Sequence, residues 1–182
     1  MKKLSIFILV LSLMLISTSA LASEHMMEKG TWTFGADFDL GGTLSHNKDW
    51  DVDSGFTLDA EYVMPAKNNM KVSYGGGIAY QLSRALTDDQ DSEFNFIPVY
   101  GLLKYEMQQN SYLVGHLGYN LFNANDTFKM GDELGGGFYY AAGIGVGMEQ
   151  YNADLLYSVN KGTWGGDDVS YSKLSLSFGM SF

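Results

Sequence analysis

Three groups of residues in this sequence are of types that could do chemistry. The first lies in "DWDVDSG", where Asp49, Asp51 and Asp53 alternate as in a calcium-binding loop. A loop of the EF-hand type needs glycine at its sixth position and glutamate at its twelfth, where this sequence has Ser54 and Ala60. We therefore expect a solvated acidic loop here, with no metal site, and we predict no cofactor.

The second candidate is His116, which lies in the alternating segment "YLVGHLGYNLF". Nucleophilic catalysis would need this imidazole within hydrogen-bond reach of a serine. The neighbouring "GHLGY" supplies no serine on the same face of a strand. We expect a hydrogen-bonded interior histidine and predict no catalytic residue.

The third group consists of charged residues at alternate positions within segments whose other positions are apolar. Its members, which we predict to form a polar network inside a barrel, are Asp37, Asp39, Asp59, Glu61, Lys71, Lys104, Glu149, Asp154 and Lys173. Buried charges are tolerated only when they are paired. Because acids outnumber bases in this set, a narrow path with a preference for cations is one possible outcome.

Strict period-two alternation defines the elements that must position these groups. In "TWTFGADFDLG" the residues Trp32, Phe34 and Phe38 share one face, and "LSLSFGMSF" repeats the pattern to Phe182. Such alternation indicates a strand with one apolar and one polar face. We count eight such strands of roughly ten residues, the length that crosses a bilayer.

The connectors between these strands alternate in length. Residues 65–69, 107–110 and 150–152 form short connectors, whereas 42–54, 83–94, 122–136 and 161–169 are long and polar. This order places all long loops at one end of an antiparallel up-and-down sheet. The small polar face carries the glycines of "GGG" and "GIGVG", which suit a tightly curved wall.

The apolar face is predicted to point outwards. An eight-stranded barrel encloses little more than its own side chains, and the large apolar residues would overfill it. Aromatic residues also concentrate near strand ends, as two girdles at membrane interfaces do: Trp32, Phe34, Tyr62, Tyr80, Tyr105, Tyr119 and Phe138. A sheet in lipid must close on itself. The predicted fold class is therefore all-β, an eight-stranded antiparallel transmembrane barrel; a soluble lipocalin-like carrier is the alternative.

Composition limits the compartment and the partners. The opening segment has Lys2 and Lys3 before an apolar run and an Ala20-Leu21-Ala22 cleavage site, which predicts a cleaved secretory signal peptide over 1–22 and a barrel domain over 23–182. The chain has no cysteine and a formal net charge of −10. An acidic chain does not bind nucleic acid by neutralising phosphates. Export without cysteine favours a bacterial envelope.

Taken together, the signal peptide, the eight alternating strands and the terminal aromatic resemble the small bacterial outer-membrane β-barrels of the OmpA/OmpX type. The segments "IPVYGLLKY" and "FYYAAGIGVGME" also look like middle strands of that family. The resemblance implies a bacterial outer-membrane location and a C-terminal signal for the barrel-assembly machinery at Phe178, Met180 and Phe182.

The same resemblance implies a role. We expect a monomer, in contact with outer-membrane lipid and lipopolysaccharide, that is not an enzyme. Its four extracellular loops would support envelope integrity, adhesion or host contact through a surface ligand. A small porin-like channel with cation preference and a lipid A-modifying acyl hydrolase are the alternatives.

Overall fold

The computed structural model describes residues 30–67, 69–107, 110–129 and 132–182, and the predicted signal peptide lies outside them. Within these ranges the chain forms ten strands and one helical turn. In chain order they are β1 (Thr31–His46), β2 (Lys48–Val52), β3 (Gly55–Ala66), β4 (Asn69–Gln81), β5 (Arg84–Leu86), β6 (Asp89–Glu106), β7 (Ser111–Ala124), α1 (Asp126–Lys129), β8 (Leu134–Met148), β9 (Tyr151–Trp164) and β10 (Asp167–Ser181). No helix in the described ranges is long and apolar enough to cross a membrane.

Antiparallel pairing joins the long strands into a closed ring. The order is β1-β3-β4-β6-β7-β8-β9-β10, and β10 pairs back onto β1. The closing pair begins with Thr33 opposite Ser181, and the Phe182 amide donates to the Trp32 carbonyl at 2.8 Å. The predicted eight-stranded antiparallel barrel is therefore confirmed. Because the sheet is closed, β1 and β10, which would otherwise be its edge strands, pair with each other.

The wall continues beyond β3 and β4 at one end of the barrel, which we call the outer end. There β2 pairs with β1, and β5 pairs with both β2 and β6, so the ring at this level consists of β1, β2 and β5 to β10. We call the opposite end, with the β3–β4, β6–β7 and β8–β9 turns, the inner end. The closed wall thus extends beyond the outer ends of β3 and β4.

The prediction of long polar loops at the outer end is wrong. Segment 42–54 is largely strand, because Asn47 alone joins β1 to β2, with a positive φ of 58°. Segment 83–94 contains β5 and the start of β6, and 161–169 is strand apart from a turn at Gly165 and Gly166. Segment 122–136 retains a connector that includes α1. These stretches are polar on one face only, so their overall polarity concealed the strand pattern.

The outward face of the barrel wall is apolar near the inner end and polar near the outer end, and the inward face shows the opposite order. Outward side chains are mostly apolar over 97–105 of β6 and 113–121 of β7, and Leu117 is 69% exposed. A membrane-spanning strand needs about 9–11 residues, and these stretches match that length. Nearer the outer end Asp91 and Glu93 of β6 are exposed, while Phe94 and Phe96 are buried inside. The inner part is therefore apolar outside, and the outer part is apolar inside.

Candidate functional site

Glu61 is the centre of a polar network in the inner half of the lumen. Its carboxylate accepts hydrogen bonds from the Tyr100 hydroxyl at 3.0 Å and from Lys104 Nζ at 3.2 Å. His116 Nε2 lies 3.6 Å from the same carboxylate, and the imidazole stacks on Tyr100 with ring centroids 4.4 Å apart. His116 Nδ1 lies 3.4 Å from the Tyr139 hydroxyl. The histidine is therefore an interior residue with polar and aromatic neighbours, as its parity in the sequence indicates.

A second polar group lies beside it. Asp154 accepts hydrogen bonds from the Tyr112 hydroxyl and, at 3.0 Å, from Asn152 Nδ2. Asp37, Asp59, Glu61, His116 and Asp154 line a cavity of only about 30 Å³. A cavity of that volume has room for only a few water molecules, which is too little for a continuous hydrated path or for an organic substrate.

A buried ion cluster lies between this network and the outer half. Asp39 is fully buried and accepts from Arg84 Nη2 at 2.5 Å and from Lys173 Nζ at 2.8 Å. Lys173 also donates to Thr57 Oγ1 at 2.9 Å, and Arg84 donates to the Leu82 carbonyl. One carboxylate thus holds two cations from different strands, which ties β5 and β10 to β1 through the lumen.

Arg84 was missed by sequence reasoning because it falls in segment 83–94, which was predicted to be a loop. The sequence feature that could have revealed it was the residue type, because Arg84 is the only arginine of an acid-rich chain. Its guanidinium enters the lumen beside Gly55, where a Cβ atom would come within 2.6 Å of the guanidinium carbon. Glycine at position 55 therefore makes room for the arginine.

An apolar core fills the outer half of the lumen. The cluster, which we call the outer core, consists of Leu44, Val52, Leu86, Phe94, Phe96, Phe122, Phe128, Val169 and Tyr171. Phe96 stacks on Phe122 with ring centroids 4.6 Å apart. Trp164 stacks on Phe128 at 4.5 Å and on His46 at 4.7 Å, at the outer boundary of the core. The interior is thus packed like a soluble protein core at the level where an ion would have to pass.

Seven of the nine residues predicted for the lumen network lie in the lumen: Asp37, Asp39, Asp59, Glu61, Lys104, Asp154 and Lys173. The prediction is wrong for Glu149, which is exposed with a φ of 53° just after β8 ends. It is also wrong for Lys71, which has the inward parity of β4 but is exposed near the inner end. Both residues lie too close to a turn for strand parity to bury them.

The aromatic residues assigned to girdles lie on the outer surface. Trp32, Tyr80, Tyr105, Tyr119 and Phe138 are between 44% and 68% exposed. Phe34 is likewise exposed, whereas Tyr62 is half-buried because its ring packs on Trp32 at 5.1 Å. These positions suit two membrane interfaces.

The three residues of the predicted C-terminal assembly signal differ in exposure and in their contacts. Phe178 is 60% exposed, whereas Met180 is only 5% exposed although its register places it on the outward face, as its parity suggested, since its partners Phe34 and Tyr151 are 44% and 48% exposed. Met180 lies opposite Phe34 on β1 and Tyr151 on β9. The Phe182 ring lies 6.0 Å from Phe34.

Asp49 and Asp51 of the acidic motif belong to strand β2 rather than to a loop, and Asp53 directly follows the strand. Asp49 and Asp51 are exposed on the outward face, and Trp50 packs against the outer core on the other. Asp49 accepts from Ser45 Oγ at 2.6 Å, and Asp53 accepts from Thr87 Oγ1 at 3.0 Å. No group of three or more histidine and carboxylate side chains in the described part of the chain is arranged to hold a metal ion.

Comparison with known proteins connects this architecture to a class of membrane proteins. The chain superposes on Ail, the attachment invasion locus protein of Yersinia pestis, with a TM-score of 0.52 and 15% identity, covering 85% of this chain and 100% of Ail. It superposes on Neisserial surface protein A with a TM-score of 0.56, 13% identity, and coverage of 84% and 97%. The outer-membrane protein AlkL gives 0.51, 16% identity, and coverage of 91% and 96%.

These likenesses show that the fold is that of the small eight-stranded outer-membrane β-barrels. The neighbours are bacterial outer-membrane proteins, and they support the outer-membrane location that the sequence predicts. No protein-family model matches the chain, and no curated protein matches it in sequence. The class is thus defined by the fold and by the apolar outer belt.

Proposed function

We propose that this protein is a non-conducting outer-membrane barrel that acts through its outer end, in envelope integrity, adhesion or contact with a surface ligand. The observation that carries the proposal is the outer core, because Phe94, Phe96 and Tyr171 fill the lumen and are fully buried. A barrel closed in this way offers its outer surface, not its interior, to other molecules. The β1–β2, β5–β6 and β9–β10 hairpins and the connector with α1 form that surface.

The two alternative functions have less support. A cation-preferring channel needs a hydrated path, whereas the inner lumen cavity measures only about 30 Å³. A lipid A acyl hydrolase needs a histidine that reaches its lipid substrate, and His116 is 7% exposed and faces Glu61 inside the barrel. We therefore infer that the chain is not an enzyme and that its outer hairpins rather than its lumen recognise partners.

Planar-bilayer recording tests this proposal directly. We expect the mature protein, refolded and checked by an unboiled gel, to give no discrete conductance steps. The physical reason is that apolar side chains occupy the lumen between the polar network and the outer end. Discrete cation-selective steps that change when Asp59 and Glu61 become Asn and Gln would move the assignment to a small channel.

The proposed assembly signal gives a second prediction. We expect Phe182→Ser to lower the amount of folded barrel in the outer membrane of a bacterial host severalfold, because an assembly machinery would read the terminal aromatic. Refolding of the same variant from urea into detergent should be nearly normal. The measurement is the heat-modifiable band in membrane fractions.

Phe34→Ser is the matched control for the assembly prediction. It removes the same ring contact, since Phe34 lies 6.0 Å from Phe182, but it leaves the terminus intact. Equal losses for both variants in cells would mean that packing, and not recognition of the terminus, explains the defect.

A further inference from the structure

The charged side chains of the lumen do not balance one another. With His116 counted as neutral, the described residues place five carboxylates there against three basic groups: Asp37, Asp39, Asp59, Glu61 and Asp154 against Arg84, Lys104 and Lys173. The basic groups contact Asp39 and Glu61. Charges withdrawn from bulk water need partners to be tolerated. Two negative charges of the lumen therefore remain to be balanced.

The excess charge lies around the inner lumen cavity of about 30 Å³, which Asp37 and Asp59 both line. The Asp59 carboxylate lies over β1, because a Cβ atom at Gly35 would overlap its Oδ2 atom. Gly35 and Asp37 have the same parity on β1 and are separated by a single residue. The fold thus brings two carboxylates together at one side of the cavity.

Several polar atoms at this cavity have no hydrogen-bond partner among the described residues. They include Asp59 Oδ2, Ser158 Oγ and Gln81 Nε2. Ser158 and Gln81 are only 3% and 2% exposed, and both line the cavity. Rotation of the Gln81 amide exchanges its nitrogen and its oxygen, so each of the three side chains can offer an oxygen. Buried polar atoms are nearly always paired, and these atoms therefore point to a ligand.

We propose that the inner lumen cavity binds one Ca²⁺ ion. Asp37 and Asp59 supply carboxylate ligands, and Ser158 and Gln81 supply a hydroxyl and an amide oxygen. Calcium takes about six to eight oxygen ligands in flexible geometry, and water molecules complete the set. The double charge of the ion matches the two negative charges that the basic groups leave over. The inference goes beyond the proposed function, which concerns the outer end of the barrel.

The shape of the lumen selects the ion and its route. Mg²⁺ loses its water reluctantly and demands nearly ideal octahedral geometry, whereas this cavity has room for only a few water molecules. A monovalent cation would balance only one of the two charges. The ion enters from the inner end, because the cluster around Asp39 and the outer core close the other side. The ligand set differs from three carboxylate or histidine ligands, which no described residues form.

Terbium luminescence tests the site, because Tb³⁺ replaces Ca²⁺ at oxygen ligands and emits when a nearby tyrosine is excited. Tyr100 and Tyr139 line the cavity and can transfer this energy. The sample is the full-length mature barrel, treated with a chelator and refolded in neutral detergent. We expect it to bind one Tb³⁺ ion, which Ca²⁺ displaces and an equal concentration of Mg²⁺ or Na⁺ does not.

Asp59→Asn should weaken Tb³⁺ binding by about tenfold or more, since even the loss of a side chain that only supports a metal ligand typically costs that factor. Asp49→Asn is the matched control, because Asp49 is exposed on the outward face of β2. It should bind Tb³⁺ like the wild type. Ser158→Ala, which keeps every charge, should also weaken binding and replaces Asp59→Asn if an unboiled gel shows that variant to be unfolded.

Denaturant titration gives an independent readout. With chelator present, Asp59→Asn should unfold at a higher denaturant concentration than the wild type, because it removes one of two adjacent negative charges. Saturating Ca²⁺ should raise the midpoint of the wild type, as a ligand of the folded state does, and should leave that of the variant nearly unchanged.

Two results would overturn the calcium site. Equal Tb³⁺ binding by Asp59→Asn and Asp49→Asn would place the ion elsewhere. A wild-type midpoint that does not respond to Ca²⁺ would mean that protons, and not a metal ion, balance the charge of the lumen. Discrete conductance steps from a barrel that still bound Ca²⁺ would contradict only the proposed function.

Discussion

Asp39→Asn is expected to lower the free energy of unfolding by about 3–5 kcal/mol, the cost of leaving buried charges without their partner. Asp39 is fully buried and is the carboxylate that contacts both Arg84 and Lys173. Asparagine has nearly the same shape but no charge, so the variant would leave two cations close together in a lumen that excludes bulk water. The cost should therefore come from electrostatics rather than from lost packing.

Denaturant titration of the protein refolded into lipid vesicles measures this effect through the fluorescence of its three tryptophans. Asp49→Asn is the matched control, because Asp49 is an exposed carboxylate on β2 that accepts a hydrogen bond from Ser45. Surface substitutions of this kind usually change stability by less than about 0.5 kcal/mol. Similar midpoints for the two variants would mean that the buried cluster does not hold the outer strands to the barrel.

Phe96→Ala is expected to cost about 3–5 kcal/mol, the range for removing an aromatic side chain from a packed core. Phe96 is fully buried, stacks on Phe122 at 4.6 Å, and lies 6.2 Å from Tyr171 and 6.0 Å from Phe94. Removing its ring would leave a cavity that these neighbours cannot fill without leaving their own contacts. The same titration in vesicles measures the loss.

Phe96→Leu provides the comparison at the same position. It keeps most of the apolar volume, and such replacements usually cost less than about 1.5 kcal/mol. A large difference between the leucine and alanine variants would show that the outer core is packed. If both variants unfolded at the wild-type midpoint, the outer half of the lumen would not contribute to stability, and the argument for a sealed barrel would fail.

The sequence was sufficient for the fold of the membrane-spanning part and for most of the polar lumen. Period two held over β6, β7, β9 and the spanning part of β10, so parity placed residues such as Lys104, His116 and Asp154 inside the barrel. It failed near turns, at Lys71 close to the start of β4 and at Glu149 just after the end of β8, where both residues are exposed. Strand parity predicts on which face of a sheet a side chain lies, but it does not predict which positions near the end of a strand are exposed.

The outer half was not predictable from the same pattern. In β1 the register shifts between Asp39 and Gly42, where Gly41 has a φ of 122°, so that Leu44 points inwards although Phe38 and Leu40 point outwards. A bulge of this kind breaks strict alternation. The burial of Arg84 likewise depends on β5 pairing with β2 as well as with β6, and β2 is not a neighbour of β5 in a simple meander. Both features follow from tertiary pairing.

The change of the outward face from apolar to polar along the barrel axis also determines how deeply the barrel lies in the membrane. A downward shift of one residue pair would bring Asn95 on β6 and Asn123 on β7 towards hydrocarbon, and an upward shift would expose Ile97 and Leu121 to water. Polar groups in hydrocarbon are costly, and so are apolar groups in water. The molecule therefore has a narrow free-energy minimum along the membrane normal. Its hairpins therefore stand at a fixed height above the lipid.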